Sequence, residues 1–591
     1  MVIKRCEYER TYQCGLRAVD VINDLKPVAL VKLGITLKVP MRPFTTRPSW
    51  LKRSLGVHYD GASIPFNCPK DQHSLVRGAL RRILVATPEV DAAQIRRFRS
   101  FVRMYLRTEA RRHGLLPLGE MMDFEQWLLS TNYPDWRKDE LREVNRRIQD
   151  GVPYNKMFLV KIFSKIEGLE GFKDNRIISA RVDFAKVAFG PFVKSIEQQV
   201  YACLPEFVKH VPVRDYPALI EARCSPAPGE VLYATDYTSF EGHFAPAMIR
   251  ACEGQLYKYM AGQRFADIAA TFVDVLAGQN VCQSPLLSYT VDGCRMSGDM
   301  CTSLGNGFTN LMIMKFLCHE AGQPVRGLVE GDDGLSVTPH RVAPGDFASL
   351  GYSIKLDTHE SPEVASFCGQ VFSRESKNII VDPLYKILSV GWSSSDQRHA
   401  RPKVMDGLLR AKAISLAYEC PGCPIVQSLS KSLLRLTRGV KAVPPTEHGM
   451  LSWHDVKVGA DFSASDEKLA SVYREVTIAD RLVMQRVYGF SVEDQLSLET
   501  FFEGYRGGPW THPVVERHLL PYHRDHWGLT THKFPVGSRI DELNRCEYDH
   551  STHLDVRGIR VPTVVNSETC RDVFAAAHLA GRCRVVPHDG Q

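Results

Sequence analysis

The stretch VRGLVEGDDGLSVTP, residues 325–339, constrains this chain more than any other segment. Two runs of strand-forming residues flank Gly331-Asp332-Asp333-Gly334, and this pattern predicts a β-hairpin with two carboxylates at its tip. A third acidic residue, Asp236, lies just past a short strand pattern, Val231 to Ala234. Carboxylates gathered in this way repel one another and cost stability unless cations sit among them. Mg²⁺ takes oxygen ligands and keeps company with phosphates. Two such ions ~3.5–4 Å apart clamp both the attacking and the leaving oxygen of a phosphoryl transfer. Taken alone, Gly-Asp-Asp is more often a plain turn, so the neighbouring segments decide.

Those neighbours read mainly as helix. The segment EGHFAPAMIRACEGQLYKYM puts Phe244, Met248, Cys252, Leu256 and Tyr259 on one helical stripe. Thr302 to Ala321 is a second helix, with Leu304, Phe308, Leu311, Met312 and Phe316 on one side and Gly322 and Pro324 as its stop. Upstream, QIRRFRSFVRMYLRTEARRHG is a third, with Ile95, Phe98, Val102 and Leu106 apolar and arginines on the other faces. Charge is uneven: ten arginines between Arg77 and Arg112 face only Glu89, Asp91 and Glu109, and a second basic stretch runs from Arg398 to Lys441. Each is either a solvated helix face or a wall of a nucleic-acid channel.

Composition narrows the class. With 44% apolar and 24% charged residues the chain is an ordinary folded protein. The net charge of +7 permits nucleic-acid binding without establishing it. Sixteen scattered cysteines, and an opening MVIKRCEYERTYQC without an apolar run, point to a reducing compartment. No stretch approaches the ~20 apolar residues of a membrane span. Cys420 and Cys423, and the run of His512, His518, His523, His526 and His532, lack the clear ligand pairing of a structural zinc site. There is no P-loop of the Gly-x4-Gly-Lys-Ser/Thr type.

Four ordered blocks carry a family resemblance. DYTSFEGHF holds Asp236, Phe240 and His243; SGDMCTSLGNGFTN holds Ser297, Gly298, Thr302 and Asn306; Gly331-Asp332-Asp333 follows. KIEGLEGFKDNRIISAR lies upstream with Lys165, Glu167, Lys173, Arg176 and Arg181. Weaker echoes are LGYSIKLDTHE, with Lys355, and FCGQVF, Phe367 to Phe372. Together, over roughly Lys161 to Phe372, they resemble the RNA-dependent RNA polymerases of positive-strand RNA viruses, the tombusvirus-like group or a relative.

The resemblance implies an α/β (α+β) right-hand fold with an antiparallel palm sheet, fingers and a mainly helical thumb. Its expected layout is 1–225 N-terminal region and fingers, 226–254 and 296–390 palm, 255–295 a fingers insert, and 391–591 thumb with a C-terminal extension. The implied reaction is nucleotidyl transfer from NTPs to the 3′ end of RNA. Asp236, Asp332 and Asp333 are the implied catalytic and metal-binding residues, for Mg²⁺ or Mn²⁺. Lys165, Lys173, Arg176 and Arg181 would meet the triphosphate, and Ser297, Gly298, Thr302 and Asn306 the nucleotide and template. The Asn306 amide suits a ribose 2′-hydroxyl. Lys355 is the candidate general acid. Glu241 departs from the family, which commonly has Asp there, so its part in sugar selection requires a different geometry. Expected partners are template and product RNA, NTPs, and viral or host proteins for membrane recruitment, at replication complexes in the host cytoplasm. Two alternatives stay open: a reverse transcriptase-like polymerase, and a catalytically silent RNA-binding palm-fold protein.

Overall fold

The computed structural model describes residues 36–38, 53–64, 72–151, 157–168, 175–393, 397, 400–444, 446–447, 450–451, 453–525, 552–554 and 561–562. Two sheets lie in the N-terminal and central part. The first contains β1 (Thr36–Lys38), β2 (Leu159–Ser164), β3 (Ile177–Arg181), β5 (Gln279–Gln283) and β6 (Ser288–Asp292), with β4 (Val231–Tyr237) belonging to the second. The first is ordered β1-β6-β5-β2-β3, and its β2–β5 pair is parallel while the rest are antiparallel. The second adds β7 (Arg326–Glu330), β8 (Asp333–Thr338) and β9 (Ile354–His359) to β4, in the order β7-β8-β4-β9, and is antiparallel throughout.

The expected hairpin forms, with Glu330 opposite Asp333. The expected strand ending at Ala234 runs three residues further, because β9 continues to pair with it: Asp236 lies opposite Lys355 and Tyr237 opposite Ile354. Asp236 is therefore a strand residue on the solvent side, between buried Thr235 and Tyr237. The single helix expected after it is three pieces. A 3-10 turn at Phe240–His243 precedes helices Pro246–Ala251 and Glu253–Ala261, broken at Cys252. Pro246 explains the late start, since proline fits the first turn of a helix and not its interior. Phe244, Met248, Cys252 and Leu256 are buried all the same.

Helix Thr302–Glu320 is the axis of the largest core and is buried on nearly every side. The arginine-rich helix, Ala92–Tyr105, is capped by Asp91, whose carboxylate accepts from the Ala93 and Gln94 amides at 3.1 and 3.2 Å. Phe98 packs edge-on to Phe316 with ring centroids 5.2 Å apart, and Arg97 pairs with Glu320 at 3.2 Å. This helix thus sits against the C-terminal end of Thr302–Glu320. Ten residues separate Phe316 from Asn306, about 15 Å along the axis.

The C-terminal body is helical, with Pro402–Glu419 against Val426–Leu436 and further helices Ile478–Tyr488 and Val492–Gly504. The second basic stretch is not one charged face. Arg410 turns inward to Asp466 (2.6 Å) and the Thr437 carbonyl (3.0 Å), and Arg435 binds the Phe502 and Tyr505 carbonyls, both at 2.9 Å. Cys420 and Cys423 are core residues here. His512 caps helix Pro513–His518, and His518 stacks on Phe490; His526 and His532 lie outside the described residues. A segment from the other end of the chain joins this core. Leu55, Val57, Tyr59, Ala62 and Ile64 pack into it, and the Leu55 and Asp60 amides donate to the Gly391 and Trp510 carbonyls at 2.9 and 2.8 Å. Among the described residues no helix is long and apolar enough to cross a membrane.

Candidate active site

Side-chain packing places the hairpin tip. Gly331 takes φ +63°, the positive value that a primed two-residue turn demands. Asn310, on helix Thr302–Glu320, donates from Nδ2 to the Asp332 carbonyl at 3.0 Å and accepts from the Tyr237 hydroxyl at 3.1 Å. One amide thus ties the turn to β4. Gly334 allows that approach: a Cβ there would lie 2.8 Å from both Asn310 Nδ2 and Thr235 Oγ1.

Asp236, Asp332 and Asp333 come together at adjoining strand ends. Asp332 and Asp333 still reach solvent, yet the surrounding protein displaces much of their water. That burial, reinforced by Asp332, Asp236 and Glu330, pushes Asp333 up to about 7, with Cys368 pulling the other way. Asp332 is also raised, first by burial and then by Glu241, while Arg176 and Arg82 oppose the shift. Among the described residues no group of three or more His, Cys, Asp and Glu side chains forms a ready-made cage for one ion. The donor chemistry still fits Mg²⁺, which is ordinarily held by one or two carboxylates, waters and substrate phosphates rather than by an all-protein cage.

A pH dependence follows. Folded Asp333 keeps its proton up to about 7, whereas unfolded aspartate releases it near ~4. The folded state binds the extra proton between these values, so metal-free stability falls as pH rises through that window and is flat above it. Thermal melts across the range should show this fall. Asp333→Asn should flatten it, and Mg²⁺ should raise the melting temperature more at the alkaline end.

Cations stand opposite the carboxylates. Glu167 pairs with Arg176 at 3.1 Å and Lys165 at 3.2 Å, and so holds both at the end of the β2–β3 hairpin. Lys173 lies outside the described residues. Arg181 is a correction to the sequence expectation. It is 5% exposed, with Nε on Asp299 (2.9 Å) and Nη1 on Asn280 (2.7 Å), and it braces the interior instead of facing a triphosphate. The spacing matched because a buried arginine on a strand leaves the same sequence trace as an exposed one.

The Ser297–Asp299 loop is stitched to β3. Ser297 Oγ accepts from the Ser179 amide (3.2 Å) and donates to the Ile177 carbonyl (3.0 Å), and the Gly298 amide donates to the Ser179 carbonyl (2.8 Å). A Cβ on Gly298 would meet that of Ala180 at 2.9 Å, so glycine is what lets the loop close on the strand. Thr302 departs from the expected nucleotide contact: its hydroxyl donates to its own loop, at Asp299 (2.7 Å) and Met296 (3.1 Å). Asn306, one turn on, is 9% exposed and accepts from Arg295 Nε at 2.9 Å. Lys355 is 67% exposed and bound to Asp357 at 2.7 Å, which holds its ammonium above the usual lysine value.

Sequence reasoning missed Arg82. Its Nε donates to Glu241 Oε1 at 2.8 Å, and it belongs to the widened turn Ala79–Ile83 that packs on the Phe240–His243 turn. Gly242 permits that contact, since a Cβ would lie 2.1 Å from the Arg82 carbonyl oxygen. Glu253 and Arg295 were missed as well.

Residues 253–345 match the family described as viral RNA dependent RNA polymerase. The chain resembles the RNA-directed RNA polymerases of tombus-like viruses. That of Groundnut rosette virus (strain MC1) is 22% identical over 412 residues, 62% of this chain and 45% of the relative. That of Maize chlorotic mottle virus (isolate United States/Kansas/1987) is 23% identical over 353 residues, 56% of this chain and 35% of the relative. That of Melon necrotic spot virus is 28% identical over 180 residues, 28% of this chain and 22% of the relative. The chain thus spans less than half the length of the curated relatives it matches. The matched family segment takes in Ser297 to Asn306 and the Asp332 hairpin, and it begins after Asp236.

Proposed function

We propose that the chain performs RNA-templated RNA synthesis as a viral RNA-dependent RNA polymerase. The observation that carries this is the meeting of Asp236, Asp332 and Asp333 at adjoining strand ends, opposite Arg82 and Arg176. In this reading β7-β8-β4-β9 is the palm sheet, the mixed sheet belongs to the fingers, and the C-terminal helices form the thumb. Asp236 and Asp332 would hold two Mg²⁺ ions, and Asp333 would complete the carboxylate set. When bound, the metals supply charge neutralisation for the attacking 3′-oxygen and the leaving pyrophosphate. Arg176, Lys165 and Arg82 orient the triphosphate, Arg82 by exchanging Glu241 for phosphate. The Asn306 amide reads the 2′-hydroxyl. Lys355, across from Asp236, donates a proton to pyrophosphate.

The test is incorporation by purified protein on a primed RNA template with Mg²⁺ and either NTPs or dNTPs. Product from NTPs is expected. Product from dNTPs alone would establish a reverse transcriptase, and none from either would sink the enzymatic reading.

The arginine helix would add a second RNA contact. Arg96, Arg99 and Arg107 are exposed, at helical spacing, and have no ion pair among the described residues. Replacing all three with glutamine should weaken RNA binding and shallow the log K against log salt plot by about 2, at ~0.7 per phosphate contact on a single strand. Filter binding across a salt series measures it.

A further inference from the structure

Arg295 and Glu253 are 1% and 0% exposed and form an ion pair of 2.6 Å beneath helix Thr302–Glu320. Burying two charges gains little stability over a well-packed apolar pair, so this placement calls for another reason. The surroundings are built around it. Tyr257 donates to the second Glu253 oxygen at 2.8 Å, and the Arg295 guanidinium lies 4.3 Å over the Phe244 ring. Gly305 makes the space: a Cβ there would fall 2.4 Å from Glu253 Oε2 and 2.6 Å from Arg295 Nη2.

Arg295 also touches the Asn306 amide proposed to face the sugar and the backbone of Glu241, the residue expected near it. Its backbone amide donates to the Glu241 carbonyl at 2.9 Å, and its Nε donates to Asn306 Oδ1 at 2.9 Å. This second bond assigns the amide's orientation. The oxygen is occupied by a donor, and Nδ2 has no partner among the described residues. Asn306 therefore presents a hydrogen-bond donor only, which suits the oxygen of a ribose hydroxyl.

We propose that Arg295, clamped by Glu253, is the positioning residue for ribose recognition, fixing the Asn306 amide with its NH₂ outward and setting its distance from Glu241. This rests on the proposed reading of Asn306 as the 2′-hydroxyl contact. Arg295→Lys keeps a cation for Glu253 but loses the fixed Nε donor.

The experiment compares kcat/KM for an NTP and its 2′-deoxy counterpart on one primed template, in wild type, Asn306→Ala, Arg295→Lys and the double variant, with thermal melts confirming folding. Asn306→Ala should lower the ratio about tenfold, the worth of one hydrogen bond. Arg295→Lys should lower it severalfold, with no further fall in the double variant, because both act through one amide. A folded Arg295→Lys with the wild-type ratio, or losses that multiply in the double variant, would overturn the proposal. A wild-type ratio in Asn306→Ala would instead remove the reading beneath it. Should Arg295→Lys not fold, Glu253→Gln, which loosens the clamp at equal volume, bears the same test.

Discussion

Asp332→Ala is expected to lower RNA-templated nucleotide incorporation by on the order of 10³-fold or more. The size follows from what the side chain would do. Nucleotidyl transfer builds negative charge on both the entering and the departing oxygen, and a protein without its own covalent step can supply only positioning and neutralisation. In the proposed reading, removing one of two shared metal ligands would strike both. The substitution should not harm the fold. The turn is held by the Asp332 carbonyl on Asn310, which alanine retains, and by the φ of Gly331. Melting of the metal-free protein should even rise, since a carboxylate that pushes Asp333 up is gone. Single-nucleotide extension with a parallel melt checks both parts. Full incorporation by Asp332→Ala would refute the site.

Glu253→Ala should destabilise the protein by about 3–5 kcal/mol, the typical cost of leaving a buried charge without its partner. Arg295 would keep Asn306 and the face of Phe244 but lose the carboxylate it pairs with at 2.6 Å. Exchanging both members for apolar residues, Glu253→Leu with Arg295→Met, should recover most of the loss in a urea titration. That pair of experiments separates folding from selection: the double variant regains stability while its discrimination against 2′-deoxynucleotides stays low.

The hairpin, the helix from Thr302 and the arginine helix were legible because each is local. Strand alternation, a turn glycine and apolar residues at helical spacing are properties of a few consecutive residues. The carboxylate set was legible through its spacing and resemblance. What escaped was non-local. Nothing around Arg82 says that it meets Glu241, and nothing in CRMSGD says that Arg295 turns inward to Glu253, forty-two residues earlier. Arg181 shows the converse: strand periodicity fixes which side of a sheet a residue faces but not whether that side is wet. Thr302 likewise carries the mark of a helix start, and its hydroxyl serves that start.

The segment at residues 53–64 sets a schedule for making the protein. Tyr59 and Val57 leave the ribosome well ahead of the Trp510 indole that donates to the Val57 carbonyl, 453 residues later. At ~5–20 residues per second, translation leaves this apolar stretch waiting roughly 20–90 s for its seat. Each nascent chain therefore needs either a chaperone on that stretch or an early holding site. This helical core can close only after Trp510 is made, around a segment synthesised 453 residues before it.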